Sequence, residues 1–457
     1  MTAPTALNVY DDAAVARITA FVERETGGKV VGLERLVRWR PSWFVDVESA
    51  GAVRRFHLRG DRGGDVSIFP DLKREADIIA LLHGQGLPVP EVHAYLADPP
   101  CILMEAIAGT RDFSGLDAAT KSAIGRVYMR AVAGMHRLPV EPFVEAGVHL
   151  PESAEGVALV GLDAYMDHYV RTKSRPEPLI EFVIVWMRRN VPRHRGGRAG
   201  FIQFDSGQYL VDDGAMTKLY DFEFSMIGDP LFDIATMGMR NSYEPLGAPL
   251  PELVRYYEEA TGEPLDHAAV VFYVLQFSVL GTMQFTGTVG EPVPGDPHSV
   301  YLMFDLSLRR SILLALSALM AAPLPELPPL GRDAGDNGPL LAKLADTLAT
   351  LPVETEAARA HKVQVAELVE WVRRADSHGA DVIARNLADV SAFLKRPFGT
   401  WGEASAALEA HIKVAGPAED AAIFTLLAAL EGRRLQVFGP TALGVAAMHV
   451  VLPDTRG

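Results

Sequence analysis

Residues 201–235, FIQFDSGQYLVDDGAMTKLYDFEFSMIGDPLFDIA, constrain the fold of this 457-residue chain more than any other segment. Apolar runs of strand length alternate there with acidic residues, and Asp213 and Gly214 form a typical hairpin turn. The pattern predicts one strand ending at Asp205, a second over QYLVDD, and a third ending at Asp221. Hairpins bring strand ends together, so polar side chains are expected to cluster at one end of a small sheet. These side chains are Asp205, Gln208, Asp221 and Glu223.

The acids of this segment need a counter-charge. Carboxylates crowded at strand ends repel one another, and the sequence beside Asp205 and Asp221 offers no obvious cation. Carboxylate and amide oxygens are the ligands that Mg²⁺ prefers in proteins. The sequence therefore predicts a magnesium site at these strand ends. Asp212 and Asp213 lie at the hairpin turn, where acids are ordinarily solvated, and they are not included in the site.

Composition narrows the class of protein. Hydrophobic residues make up 49% of the chain and charged residues 22%, which is typical of a globular protein, and the length suggests two or three domains. The net charge of −15 argues against binding to nucleic acid or to anionic membranes. The apolar runs are expected to fall short of the ~18 residues of a transmembrane helix. The single cysteine, Cys101 in the apolar run CILMEAI, predicts a buried thiol and fits a reducing cytoplasm.

Periodicity divides the chain into three blocks. Alternating apolar residues over 30–105 predict strands, interrupted by a helix over 70–84, and the block that follows is mostly helical. A Pro- and Gly-rich connector precedes further helices, two of which are predicted over 354–376 and 380–395. The expected segments are an N-terminal nucleotide-binding lobe at 1–107, a helical lobe with the catalytic loop at 108–322, a linker at 323–339 and a helical domain at 340–457.

The sequences QFDSGQYLVDDG, YDFE and IGDPLFDIA, in that order, resemble the catalytic core of the aminoglycoside phosphotransferase and choline kinase family, a branch of the protein-kinase-like fold. That family typically has His-Gly-Asp, an Asn five residues after the Asp, a hairpin, Asp-Phe/Trp-Glu and Gly-Asp-Pro-x-x-Asp-Leu-Ala. Residues 221–223 and 228–233 match the closing motifs. The resemblance covers about residues 30–320. It implies an α+β, bilobal kinase-like fold with a small antiparallel-sheet N-lobe, a mainly helical C-lobe and an appended helical C-terminal domain.

The resemblance implies an enzyme that uses ATP and Mg²⁺ to move the γ-phosphoryl group to a hydroxyl of a small molecule. In that template most of the catalysis is positioning and charge neutralisation around the phosphates. Asp205 would accept or orient the hydroxyl proton. Gln208 and Asp221 would hold Mg²⁺, and Glu223 would assist a second ion. Asp229 and Asp233, in the closing motif, would have a structural role and tie the catalytic loop to the following helix.

The resemblance also assigns a nucleotide site to the N-terminal block. Arg59 would contact the phosphates, and Glu75 on the predicted helix would hold it in place. Taken alone, these two residues would be an ordinary surface ion pair. Ser42 would lie in the loop that covers the phosphates. The residues expected in the adenine-contacting hinge are Met104, Glu105 and Ile107.

Several positions depart from the family pattern. Gln203 stands at the His position and Phe204 at the Gly position. The loop after Asp205 is two residues shorter, so Gln208 takes the place of the Asn, and its extra methylene could recover the reach. Arg59 replaces a Lys, and a guanidinium reaches phosphate differently from an ammonium. These departures leave an alternative open, which is a catalytically impaired, kinase-like nucleotide-binding or scaffolding protein.

The acceptor stays open at this stage. The family includes kinases of aminoglycosides, amino alcohols, sugars and hydroxyacyl thioesters. The acidic net charge favours a cationic acceptor, whereas the basic stretch RRNVPRHRGGR at 188–198 favours an anionic one. The same stretch is also typical of a helix C-terminus followed by a solvated loop. The expected partner is a small hydroxyl-bearing molecule, with no nucleic acid and no membrane.

Overall fold

The computed structural model describes residues 10–36, 40–61, 68–294, 296–332, 335–438 and 452–456. The strands are β1 Lys29–Arg35, β2 Ser42–Ser49, β3 Ala52–Gly60, β4 Val92–Ala97, β5 Pro100–Glu105, β6 Gly200–Ile202, β7 Tyr209–Asp212, β8 Ala215–Leu219 and β9 Met226–Gly228. The helices are α1 Asp12–Thr26, α2 Leu72–Gly84, α3 Ala118–Met135, α4 Glu141–Glu145, α5 Ala154–Thr172, α6 Pro178–Arg189, α7 Leu231–Arg240, α8 Leu250–Thr261, α9 His267–Gly290, α10 His298–Met320, α11 Gly338–Thr350, α12 Glu356–Leu394, α13 Trp401–Ile412 and α14 Asp420–Phe438.

A five-stranded antiparallel sheet forms the N-terminal part of the fold, with the strand order β1-β2-β3-β5-β4. Its alternating apolar residues pack with α1 into one core that includes Phe21, Val45, Leu58 and Leu103. The α+β class with a small antiparallel sheet is therefore confirmed. The sequence pattern did not predict α1 or β4, and the end of the first predicted strand, residues 37–39, lies outside the described residues.

Helix α2 places an acid against this sheet. Asp71 caps the helix by accepting a hydrogen bond from the Lys73 amide at 2.9 Å. Leu72 and Ala76 pack on buried residues of β5. Glu75 lies between them in sequence and is 2% exposed, so the packing of the helix fixes its carboxylate inside the protein. Such a carboxylate needs a cation beside it.

Two short antiparallel pairs follow, β6 with β9 and β7 with β8. Asp213 and Gly214 join β7 to β8 with φ angles of 46° and 72°, the left-handed conformation of a tight hairpin turn. The predicted hairpin is thus confirmed, although β8 ends at Leu219, before the acids. Asp205 and Asp221 both lie in loops that begin where strands end.

By internal contacts the chain divides into two compact units, and the division differs from the segments expected from sequence. One unit holds Met1–Val160, Arg195–His267 and Asp454–Gly457, and the other holds Gly161–His194 and Ala268–Pro453. Within the second unit α10 packs on α12 and α14, and Leu302, Leu306 and Phe438 share one apolar cluster. The helices before and after the predicted linker therefore have a common core.

Two helical predictions are wrong. Residues 354–376 and 380–395 form one helix, α12, which continues through Gly379. A helical glycine costs only about 1 kcal/mol, which tertiary packing can offset. The expectation of short apolar runs also fails, because α9 is long and apolar enough to span a membrane. The most apolar 18-residue segment of that helix is 72% buried inside the protein, which is typical of a core helix.

Candidate active site

The loop that carries Asp205 is fixed by the buried carboxylate of Asp233. Its two oxygens accept hydrogen bonds from the amides of Gln203, at 2.9 Å, and Phe204, at 2.8 Å. His136 lies 3.0 Å from the same carboxylate and 2.9 Å from the Tyr257 hydroxyl. Asp233 thus ties the loop to α7, as predicted, and His136 is a buried partner of that carboxylate rather than a metal ligand.

Phe204 occupies the position at which the family has glycine, and its backbone shows why glycine is usual. Its φ of 73° is left-handed, a conformation that costs a non-glycine residue about 1–2 kcal/mol. The Phe204 ring is 1% exposed and stacks on Phe232 with 4.6 Å between ring centroids. Burial of a phenyl ring contributes about 1.5–3 kcal/mol, which offsets the backbone cost. The substitution therefore keeps the shape of the loop.

Gln203 hydrogen-bonds the backbone of the second acidic loop. Its amide nitrogen donates to the Tyr220 carbonyl at 2.7 Å and to the Asp221 carbonyl at 3.3 Å. Its amide oxygen is buried and has no hydrogen-bond partner among the described residues. Gln203 thus links the two acidic loops, since it precedes Asp205 by two residues and holds the backbone of Asp221.

Asp205 sits between an amide and a guanidinium. The Gln208 amide nitrogen donates to the Asp205 carboxylate at 3.2 Å and to its carbonyl at 3.0 Å, and Arg240 pairs with the other carboxylate oxygen. Burial raises the pKa of Asp205, Arg240 opposes that shift, and the negative charge of Asp221 adds to it. The two aspartates are therefore near enough to feel each other, as the hairpin pattern predicted.

Arg240 was missed by sequence reasoning, although a signal for it existed. It ends α7, seven residues after Asp233, and residues seven apart lie on one face of a helix. Arg240 also donates to the Ser206 carbonyl at 3.1 Å and to Glu244 at 2.7 Å. It therefore braces the loop as well as neutralising Asp205.

The predicted ion pair between Arg59 on the N-terminal sheet and Glu75 on α2 is present, and Arg59 has a further acidic partner. Arg59 lies 3.0 Å from the Glu75 carboxylate and pairs as well with Asp221. Burial alone would lower the pKa of Arg59, but the carboxylates of Glu75, Asp221 and Glu223 raise it well above its usual range. Arg59 is therefore a fixed cation between the strand and the acidic loop. Its contact with phosphates stays a prediction.

Arg40 is a second cation that the sequence did not point to. It lies just before β2, and its guanidinium donates to Glu75 at 2.6 Å and also pairs with Glu223. Its side chain is 9% exposed. The premise that the acids lack a counter-charge is therefore wrong, because arginines distant in sequence neutralise Asp205, Asp221 and Glu223.

The remaining nucleotide-site residues lie in and after the sheet. Ser42 is buried, and its hydroxyl donates to the Arg40 carbonyl at 3.3 Å, so in this structure it supports Arg40 and does not face solvent. Met104 is buried in the apolar cluster under α2. Glu105 pairs with Lys218 at 2.9 Å, and its amide donates to the Glu91 carbonyl. Ile107 lies beyond β5 and is partly exposed.

The donor set suits a hard cation bound together with phosphates. Asp221 and Glu223 offer carboxylate oxygens, and the Gln208 amide contacts Asp205 through its nitrogen, which leaves its oxygen for a cation. Within the described ranges no group of three or more His, Cys, Asp or Glu side chains is arranged to hold a metal ion. Mg²⁺ commonly takes one or two carboxylates and completes its shell with phosphate and water. The residues present therefore fit Mg²⁺ as part of a metal–nucleotide complex.

The basic stretch at 188–198 contributes several ion pairs. Four of its arginines pair with acids, and none of these pairs involves the loop residues of the site. The pairs are Arg188 with Asp163, Arg189 with Asp420, Arg195 with Asp229 and Arg198 with Glu263. These contacts favour the structural interpretation of the stretch over a docking site for an anionic acceptor.

The sheet with its buried Arg–Glu pair, the loop of Asp205 and the following Asp221 define a protein-kinase-like fold. Residues 41–268 match the model of the phosphotransferase enzyme family, APH. Through these residues the chain belongs to that family. A comparison with curated proteins gives no match.

Three solved structures are similar to this chain. A provisional aminoglycoside phosphotransferase from Ralstonia eutropha JMP134 aligns with a TM-score of 0.52 and 16% identity over 68% of this chain and 99% of its own. The aminoglycoside phosphotransferase APH(4)-Ia, a thermostable mutant in ternary complex with ADP and hygromycin B, aligns with a TM-score of 0.45 and 15% identity over 64% of this chain and 98% of its own. Macrolide 2'-phosphotransferase MphH from Brachybacterium faecium aligns with a TM-score of 0.45 and 17% identity over 68% of this chain and 99% of its own. At these identities the first alignment supports the fold alone.

Proposed function

We propose that this protein is a small-molecule kinase that transfers the γ-phosphoryl group of ATP to a hydroxyl of its acceptor. The observation that carries the proposal is the position of Asp205. It is held by Gln208 and Arg240 within electrostatic reach of Asp221, which pairs with the buried Arg59. A candidate base beside a candidate metal ligand and a phosphate-binding cation is the arrangement that phosphoryl transfer requires.

Each side chain has a task in this proposal. Asp205 orients the acceptor hydroxyl and accepts its proton, and its raised pKa makes it a stronger base than an ordinary aspartate. Arg240 holds the carboxylate of Asp205 in place. Arg59, fixed by Glu75, contacts the phosphates. ATP with Mg²⁺ supplies the phosphoryl group and part of the charge neutralisation, and Gln208, Asp221 and Glu223 provide the oxygens that would hold the ion.

A screen for ADP release tests this proposal. Purified protein is incubated with ATP, Mg²⁺ and a panel of aminoglycosides, amino alcohols, sugars and hydroxyacyl thioesters. We expect ADP release that depends on one acceptor class. Asp205→Asn should lower kcat by about 10²–10⁴, because the general base is lost. Asp212→Asn, which changes an exposed acid of the hairpin turn, is the control and should leave kcat unchanged. An Asp205→Asn protein with full activity would remove Asp205 from the mechanism.

The second candidate is a nucleotide-binding protein without transferase activity. One observation favours it, since both the Gln208 amide and Arg240 already engage the Asp205 carboxylate. Under this alternative, ATP binds but no acceptor produces ADP above the background rate. For either candidate we propose a cytoplasmic location, because the single cysteine, Cys101, is a buried thiol whose pKa burial raises to about 12.

A further inference from the structure

The acids around the proposed nucleotide site form part of one alternating chain of charges. In order of contact, the members of this chain of charges are Glu223, Arg40, Glu75, Arg59 and Asp221. Glu75 accepts from Arg40 at 2.6 Å and lies 3.0 Å from Arg59. Arg40 pairs at its other side with Glu223, and Arg59 pairs with Asp221. Arg59 also approaches the Glu223 carboxylate, at 4.0 Å.

Burial differs between the members of this chain of charges. The Glu223 and Glu75 side chains are 4% and 3% exposed, and Arg40, which pairs with both, is 9% exposed. Arg59 and Asp221 are 14% and 22% exposed. Asp221 is therefore the member most open to solvent, whereas Glu223 is buried.

The backbone of Glu223 is held independently of Arg40. Arg74 donates to the carbonyls of Glu223 and Ser225 at 3.3 and 2.5 Å. The backbone of Glu223 therefore keeps this support if Arg40 exchanges its partner.

The charges of these five side chains determine which ligands can bind to them. Two arginines face three carboxylates, so a divalent cation that approaches Asp221 and Glu223 alone meets two guanidinium groups already paired with them. The cation must therefore compete with a guanidinium for each carboxylate, and two unit charges ~4 Å apart interact by about 4 kcal/mol at the effective dielectric of a protein surface. Phosphate oxygens attract guanidinium groups strongly and often with two hydrogen bonds. A nucleotide can therefore draw the arginines away from the acids.

We propose that Arg40 and Arg59 form an electrostatic latch, which keeps Asp221 and Glu223 closed to a divalent cation until nucleotide phosphates take over the two guanidinium groups. This inference rests on the proposed function, because it takes a metal–nucleotide complex as the ligand. The latch makes metal binding depend on the nucleotide.

Binding of Mn²⁺, measured by electron paramagnetic resonance without nucleotide, tests the latch. Wild-type protein should bind Mn²⁺ weakly. Arg40→Gln should bind it at least ~10-fold more tightly, because one repelling charge has gone and Glu223 has lost its partner. Arg40→Lys keeps the charge and should stay as weak as wild type. Arg55→Gln removes an exposed arginine that pairs with Asp46 on the same sheet and is the matched control.

The outcomes separate the latch from the proposed function. Tight Mn²⁺ binding by nucleotide-free wild-type protein would overturn the latch, and so would equal affinities of Arg40→Gln and Arg40→Lys. The wild-type measurement stands even if Arg40→Gln fails to fold. Binding of a non-hydrolysable ATP analogue to wild-type protein is measured separately by calorimetry. Absence of analogue binding would count against the phosphotransferase itself, whatever the Mn²⁺ result.

Discussion

Each unit of the protein contains a buried arginine cluster, and the two clusters differ in what surrounds them. In the helical unit Arg309 is 2% exposed and bonds Asp305 at 2.9 Å, Glu177 at 2.6 Å and Glu431 at 3.0 Å. In the other unit Arg59 and Arg240 pair with Asp221 and Asp205, whose side chains are 22% and 23% exposed. The Arg309 cluster is the more deeply buried, whereas the clusters of the candidate site have an open side.

The pKa values of acids in the two clusters shift in opposite directions. Burial alone would raise the pKa of Glu177, but Arg309 and Arg175 lower it to about 2. At Asp205 burial prevails over Arg240, and the pKa is raised. Good charge partners on all sides stabilise a structural carboxylate, whereas an acid whose environment disfavours its charge is a candidate for function. The Arg309 cluster is therefore suited to hold helices together, whereas the cluster at Asp205 is suited to exchange partners.

The largest effect is expected where the deeply buried cluster loses its central cation. Arg309→Met should lower the free energy of unfolding by about 3–5 kcal/mol, because the carboxylates of Asp305, Glu177 and Glu431 each lose one cationic partner. Urea denaturation measures it. Arg373→Met, which removes a half-exposed arginine paired with Glu370, is the control and should cost less than about 1 kcal/mol. An effect at Arg309 no larger than that at Arg373 would show that the buried cluster does not stabilise the fold.

The two kinds of acid should give opposite slopes of stability against pH. Glu177 has a lowered pKa, so its contribution is present above the ordinary pKa and is lost as the pH falls towards about 2. Asp205 has a raised pKa, so wild type loses stability relative to Asp205→Asn as the pH rises through the folded-state value. Denaturation of wild type, Glu177→Gln and Asp205→Asn from pH 2.5 to pH 7 should give relative slopes of opposite sign, with a change of ~3 kcal/mol at Glu177. Slopes of one sign would remove the distinction between the clusters.

The smallest effect concerns the backbone of the site. Phe204→Ala and Phe204→Gly both lose the stacked ring, but only glycine relieves the left-handed φ of 73°. Phe204→Gly should therefore be more stable than Phe204→Ala by about 1 kcal/mol, the reverse of their order in a helix. Thermal unfolding of the two variants measures the difference. Alanine equal to or better than glycine would show that the loop carries no such backbone cost.

The order of motifs in the sequence was enough to predict the kinase-like fold and the catalytic loop, because the contacts involved are local. Gln203, Asp205 and Asp233 lie within one short stretch and act on one another through it. The pairing of Arg40 with Glu223 joins residues 183 positions apart, and one arginine among several in a strand-forming segment gives no local sign of its partner. Gly379 inside α12 led to a wrong prediction for the opposite reason. Packing of the helix outweighed the low helix propensity of glycine.

Stabilisation of the folded protein by nucleotide tests whether the open cluster binds a metal–nucleotide complex through Asp221. A ligand that binds only the folded state at 100 times its Kd adds about 2.7 kcal/mol to stability. The melting temperature of wild type should rise with ATP and Mg²⁺, and the rise should be lost in Asp221→Asn. Asparagine keeps the size of the side chain and tolerates the left-handed φ of 69° at this position. Asp213→Asn, at a left-handed turn residue of the hairpin, is the control and should respond like wild type. An unchanged melting temperature in wild type, or an equal rise in Asp221→Asn, would contradict the account.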